Sequence, residues 1–160
     1  MRTIHFSSFL ILTALFLLFG LNANSQAYYD YSIRCLGTEM DGSLTLEAYG
    51  KGKNRADASE QAKKEAVHAV IFKGIKDGNG GCTTDPILFN SNAERINEDY
   101  FAAFFKDDGP YLQYVSLKDE SIKNKVTRKK KKDDNIQQRM VVVRVQRLDL
   151  KKKLAEDKIR

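Results

Sequence analysis

Glu65 and His68 stand three residues apart, a spacing that puts both on one side of a helix. An imidazole beside a carboxylate can carry a proton in acid–base catalysis. No nucleophile or metal-ligand pattern accompanies the pair, so a histidine at the border of a buried face is the preferred reading. Cys35 and Cys82, 47 positions apart, are the only cysteines. In an oxidising compartment such a pair reads as a disulfide, the other reading being two buried thiols. Neither belongs to a CxxC motif. One histidine and two cysteines after the N-terminal run are too few for an ordinary zinc site.

The most concentrated charge is Arg128-Lys129-Lys130-Lys131-Lys132, with Lys118, Lys123 and Lys125 nearby. Such a run attracts polyanions: an acidic surface polysaccharide, a phospholipid headgroup layer, a nucleic acid or an acidic protein. Nucleic acid is the weakest of these candidates, since no stacking motif accompanies the lysines. The plainer reading is a solvated turn whose lysines oppose edge pairing, with Asp133 and Asp134 partly neutralising it. Gly50-Lys51-Gly52 before a helix could cradle a phosphate. It lacks the Walker pattern and the third glycine of a dinucleotide fingerprint, so a tight strand-to-helix turn is expected. Asp77-Gly78-Asn79-Gly80 is only a fragment of a calcium loop. Asp107-Asp108-Gly109-Pro110 is a helix stop followed by a turn. No cofactor, metal or catalytic residue is expected.

The chain around these residues has 160 positions, 42% of them hydrophobic, and a net charge of +6. That length suits one domain, and the composition excludes a membrane bundle, a collagen-like chain and wholesale disorder. The first 25 residues hold 15 of the hydrophobic side chains and no acidic one. Arg2, the apolar run from Phe6 to Phe19 and the small residues Ala23 and Ser25 form a secretory signal, with cleavage expected before Gln26. The run is short for a membrane span, and no cysteine offers a lipid-attachment site beside the cleavage point. A Sec-exported protein of the periplasm or the extracellular space is expected, not a lipoprotein, with no membrane anchor after cleavage.

Residues 26–30 read as an arm. Tyr31 to Met40 alternates as a strand, with Tyr31, Ile33 and Cys35 on one face. Asp41-Gly42 is a hairpin signal, and Ser43 to Gly50 forms the second strand with Leu44, Leu46 and Ala48 inward. A helix follows to about Lys73, capped by Asn54 or Asp57 and ended by Gly74. Its stripe is Ala58, Ala62, Ala66, Ala69 and Val70. Val67, Ile71 and Phe72 need a second cover. A helix from Ala93 to Phe105 supplies it, with Ile96, Tyr100, Phe101, Phe104 and Phe105 as its apolar face. Tyr111 to Leu117 reads as a strand with Val115 and Leu117 inward. Asp119 to Arg128 reads equally as its continuation or as a loop. Ile136 to Arg147 is the clearest strand, with Val141, Val143 and Val145 on one side. Leu148 to Arg160 is a charged helix or a frayed tail, tied down by Leu148, Leu150 and Leu154.

The order ββααββ(α) lacks βαβ alternation. We expect an α+β domain over residues 31–150, a mainly antiparallel sheet of about four strands with two helices on one face. Residues 151–160 form a charged tail. The strand ending Leu46-Glu47-Ala48-Tyr49-Gly50-Lys51-Gly52, followed by Ala58, Ala62, Ala66 and Ala69, resembles the N-terminal domain of flagellar assembly protein T and related small envelope-lipoprotein domains of bacteria. Their late long strand is similar to Met140 to Val145. The resemblance implies a non-catalytic accessory domain in an envelope assembly. This chain departs from it in lacking a lipid-attachment cysteine and in carrying two cysteines and the basic run. The functional expectation is an exported adaptor that binds an envelope protein. The alternative is a polyanion-binding module centred on residues 128–132.

Overall fold

The computed structural model describes residues 33–79, 82, 84–118 and 137–159. The signal segment, the arm, Tyr31 and the run Arg128 to Lys132 lie outside the described residues. Strands β1 (Arg34–Thr38), β2 (Leu44–Gly52), β3 (Asp77–Gly78), β4 (Val115–Leu117) and β5 (Gln137–Val145) form one sheet in the order β3-β1-β2-β5-β4. The fold is α+β, as expected. Its sheet has five strands rather than about four, because the short β3 pairs parallel to β1 while all other pairs are antiparallel. Two residues in a glycine-rich stretch carry no periodicity that would reveal a strand.

β2 and β5 are the spine, paired over nine residues from Leu44↔Val145 to Gly52↔Gln137. Leu44, Leu46 and Ala48 of β2 and Val141, Val143 and Val145 of β5 are buried on one face. Helix α1 (Arg55–His68) lies on that face. The Asn54 side chain caps it by accepting the Asp57 N–H at 2.9 Å. The alanine stripe and Val70 are buried as the spacing predicts. The last turn, Ala69–Lys73, widens to a π-helical turn, with the Gly74 N–H donating to Ala69 O at 2.8 Å. The carbonyls of Val70 and Ile71 then accept the N–H groups of Ile87 and Leu88, at 3.1 and 2.9 Å, so this helix end is satisfied by the loop that crosses it.

The expected second helix is two pieces, α2 (Ala93–Ile96) and α3 (Glu98–Phe104), broken at Asn97. The break redirects Ile96, which is 64% exposed, so it does not belong to the apolar face. Ala93, Phe101 and Phe104 are buried instead. Phe101 meets Phe72 edge-on at 4.7 Å, which supplies the second cover for the end of α1. Residues Pro110–Tyr114 form a 3₁₀ helix, not the start of a strand. Proline suits the first position of a helical turn. The turn buries Tyr111, whose hydroxyl reaches Glu60 at 3.4 Å. β4 is thereby cut to three residues, and Leu117 is 39% exposed rather than inward. Residues Arg147–Glu156 form helix α4. Leu150 and Leu154 are buried and anchor it, while Leu148, 55% exposed, only leans on Gly42 of the first hairpin. The expected domain end at Leu150 falls inside this helix.

Candidate functional site

β3 runs close against β1: a Cβ on Gly78 would lie 2.2 Å from the Cys35 carbonyl oxygen. That approach carries the following loop back to β1. Cys35 and Cys82 are there joined by a disulfide, with Cα atoms 5.8 Å apart and both residues buried. The bridge is consistent with an oxidising, extracytoplasmic compartment. Among the described residues, no helix is long and apolar enough to cross a membrane.

Glu65 and His68 share a helix but face different partners. His68 Nε2 is 3.0 Å from Glu94 Oε1, and its ring sits 4.6 Å from Phe72 and 5.8 Å from Phe105. Glu65 accepts a hydrogen bond from Gln61 at 3.2 Å. The expected preference for a boundary histidine fits this arrangement, in which His68 joins α1 to α2. Burial holds the His68 pKa below its ordinary value, against the opposing pull of Glu94. Burial likewise raises Glu65 to about 7, although Gln61, Lys51 and Lys73 favour its charged form.

The two groups act on stability in opposite senses. Glu65 binds its proton more tightly folded than unfolded, so its contribution is complete below about pH 4.5 and is lost as pH rises toward 7. His68 prefers to be neutral in the fold, so its contribution is present above its ordinary pKa and is lost as pH falls. Glu65→Gln keeps the shape of the protonated acid. It is expected to leave the melting temperature unchanged at pH 4 and raise it by several degrees at pH 8, as measured by thermal denaturation across that range.

The other motifs are structural in the fold. A Cβ on Gly50 would lie 2.0 Å from the Ala58 carbonyl oxygen, and one on Gly52 2.4 Å from the Ala58 nitrogen. The glycines therefore admit α1 onto β2, but Gly50-Lys51-Gly52 is the paired end of β2, from Gly50↔Arg139 to Gly52↔Gln137, rather than the tight turn expected, and the chain bends at Lys53-Asn54 instead. Asp77 and Gly78 form β3. Asp107 bonds Lys64 at 2.6 Å, and Asp108 takes a positive φ of 56° at the helix stop. Among the described residues, no group of three or more His, Cys, Asp or Glu is placed to hold a metal. Of the basic cluster only Lys118 is described. It donates to Glu39 and, at 3.2 Å, to Thr45 Oγ1. Lys123, Lys125, Arg128 to Lys132, Asp133 and Asp134 lie outside the described residues.

Lys118 belongs to a polar network over the β1–β2 turn that no short motif announced. Asp41 accepts the Ser43 hydroxyl at 2.7 Å, and Arg144 donates to Ser43 Oγ at 2.7 Å and to Asp41 at 2.6 Å. Asp41-Gly42-Ser43 is legible as a turn, but its partner Arg144, 101 positions after Ser43, is not. Next to this network is the sheet face turned away from α1. Glu47 and Tyr49 of β2 stand opposite Val142 and Met140 of β5, and all four are only partly buried. Arg34 and Leu36 of β1 lie exposed beside them.

These observations define the chain as a disulfide-bridged α+β domain with a half-exposed, mixed-polarity sheet face. No family model, curated protein or solved structure matches it.

Proposed function

We propose that this protein is an exported, non-catalytic adaptor of a bacterial cell envelope, working by protein–protein contact. The observation that carries the reading is the outer sheet face. Tyr49, Met140 and Arg34 are residue types enriched in interfaces; Tyr49 and Met140 are half-exposed on the paired strands β2 and β5, and Arg34 is exposed on β1 beside them. The signal sequence, the disulfide and the resemblance to flagellar and envelope-lipoprotein domains support the compartment. The test is affinity capture of the mature chain from a native envelope fraction, compared with Tyr49→Ser/Met140→Ser. A partner retained by the wild type and lost in the variant is expected. Equal recovery with both chains removes the sheet face from the proposal.

A second reading rests on the five consecutive basic residues between β4 and β5. Under it, residues 128–132 bind an anionic polymer or headgroup layer. Replacing Lys129 to Lys132 by Gln is then expected to weaken binding to heparin or anionic vesicles by at least about tenfold at low salt and to flatten the salt dependence. Unchanged binding ends this reading.

A further inference from the structure

Two exposed segments of this chain carry opposite charge around apolar side chains. The first runs from Asp85 to Asp99 and holds four carboxylates against one cation, Arg95, in a chain whose net charge is +6. The fold turns two large apolar side chains outward there. Leu88 is buried and its N–H donates to the Ile71 carbonyl oxygen, which leaves the next residue, Phe89, 78% exposed. Ile96 is turned out by the break at Asn97. The N–H groups of Ala93 and Ile96 donate to the carbonyl oxygens of Asn90 and Asn92, both at 2.9 Å, and His68 holds Glu94, so backbone and side-chain contacts fix the segment. Glu94, Glu98 and Asp99 are exposed. Glu98 and Asp99 form no ion pair among the described residues.

The second segment is α4. It buries Leu150 and Leu154 and leaves Leu148, Lys151, Lys152 and Ala155 exposed, at the i, i+3, i+4, i+7 spacing of one helix face. Lys151 forms no ion pair among the described residues, and Lys152 reaches only Glu156, at 4.0 Å on the open surface. The two segments are neighbours, because the Tyr100 hydroxyl donates to Asp157 at 2.6 Å and so joins α3 to the end of α4. An acidic, apolar surface beside a basic, apolar one is self-complementary about a twofold axis. Each segment of one copy meets the other segment of its partner, and both contacts form together.

We propose that a second copy of this chain docks here, as a twofold dimer in which Phe89, Ile96, Glu98 and Asp99 of one protomer meet Leu148, Lys151 and Lys152 of its partner. Burial of the apolar side chains drives the contact, and the charges set its register. The dimer does not depend on the adaptor reading, which uses the sheet face turned away from α1.

Sedimentation equilibrium of the mature full-length chain is expected to show a monomer–dimer equilibrium that weakens with added salt. Glu98→Lys/Asp99→Lys and Lys151→Glu/Lys152→Glu are each expected to weaken self-association at least about tenfold. Phe89→Ser, which changes no charge, is expected to weaken it by a similar factor. Mixed in equal amounts, the two charge-reversed chains regain opposite charge at both contacts, and association within about threefold of the wild type is expected. Recovery on mixing also shows that both variants are folded. A wild type that stays monomeric up to about 1 mM, variants that associate as the wild type does, or a mixture that stays monomeric overturns the proposal. Loss of association in Tyr49→Ser/Met140→Ser overturns it by assigning the contact to the sheet face. Association that is lost when Lys129 to Lys132 are replaced by Gln, but kept in Lys151→Glu/Lys152→Glu, overturns it by assigning the acidic surface to the basic run.

Discussion

Removing the Cys35–Cys82 bridge is expected to lower unfolding stability by about 4 kcal/mol, the chain-entropy value for a closed loop of this length. The loop spans 47 positions and encloses β2 and α1, the two elements with the most contact to the rest of the sheet. Cutting the bridge therefore releases the unfolded chain over those 47 positions. Cys35→Ala/Cys82→Ala is the cleaner variant, because both sulfurs are buried and alanine leaves no thiol to repair the bond. The measurement is urea unfolding of the wild type and the double variant. A lower midpoint with a steeper denaturant dependence is expected, since the unlinked unfolded chain exposes more surface. A change under about 1 kcal/mol would mean that the unfolded chain is already constrained over this loop without the bond.

The second large effect is expected at Gly50. Alanine there places a methyl group 2.0 Å from the Ala58 carbonyl oxygen, 2.5 Å from the Ala62 nitrogen and 3.0 Å from its Cβ. Two of these atoms are backbone of a helix in its interior, so relief requires α1 to lift off β2 or β2 to bend. Overpacking commonly costs about 1–3 kcal/mol, and a clash with backbone belongs at the upper end. Gly50→Ala is thus expected to cost about 3 kcal/mol. Gly37→Ala is the matched control, because a Cβ there meets nothing within 4 Å. Thermal unfolding of both variants checks the contrast: a large drop for position 50 and little change for position 37. Equal drops would show that strand flexibility, not helix approach, sets the glycine requirement.

Much of this architecture was legible in the chain. The hairpin over Asp41-Gly42, the inward faces of β2 and β5, the alanine stripe and the Asn54 cap all follow from local rules. In each case neighbours a few residues apart decide the outcome, through turn geometry, strand alternation or helical period. The aromatic cover for Phe72 was legible too, because an apolar surface on two sides of one helix end must be buried twice.

The misread elements share a cause. Tyr111 to Tyr114 curls into a 3₁₀ turn because Tyr111 is buried with its hydroxyl toward Glu60, 51 positions earlier. Ile96 turns outward because the backbone breaks at Asn97, whose side chain donates back to the Ala93 carbonyl oxygen at 2.8 Å. β3 exists because the Gly78 backbone can approach Cys35, not because Asp77-Gly78 favours extension. In the candidate site, Glu65 and His68 could be found by spacing alone. That His68 bonds Glu94 while Glu65 bonds Gln61 could not.

By itself the sequence determined the α+β class, the two long strands, the central helix and the identity of the two sulfurs, since these depend on short-range pattern and composition. Only the tertiary structure decided that the sulfurs meet, that a parallel strand joins the sheet and that Arg144 closes the first hairpin. Those outcomes rest on distances between residues tens of positions apart, which no local period encodes.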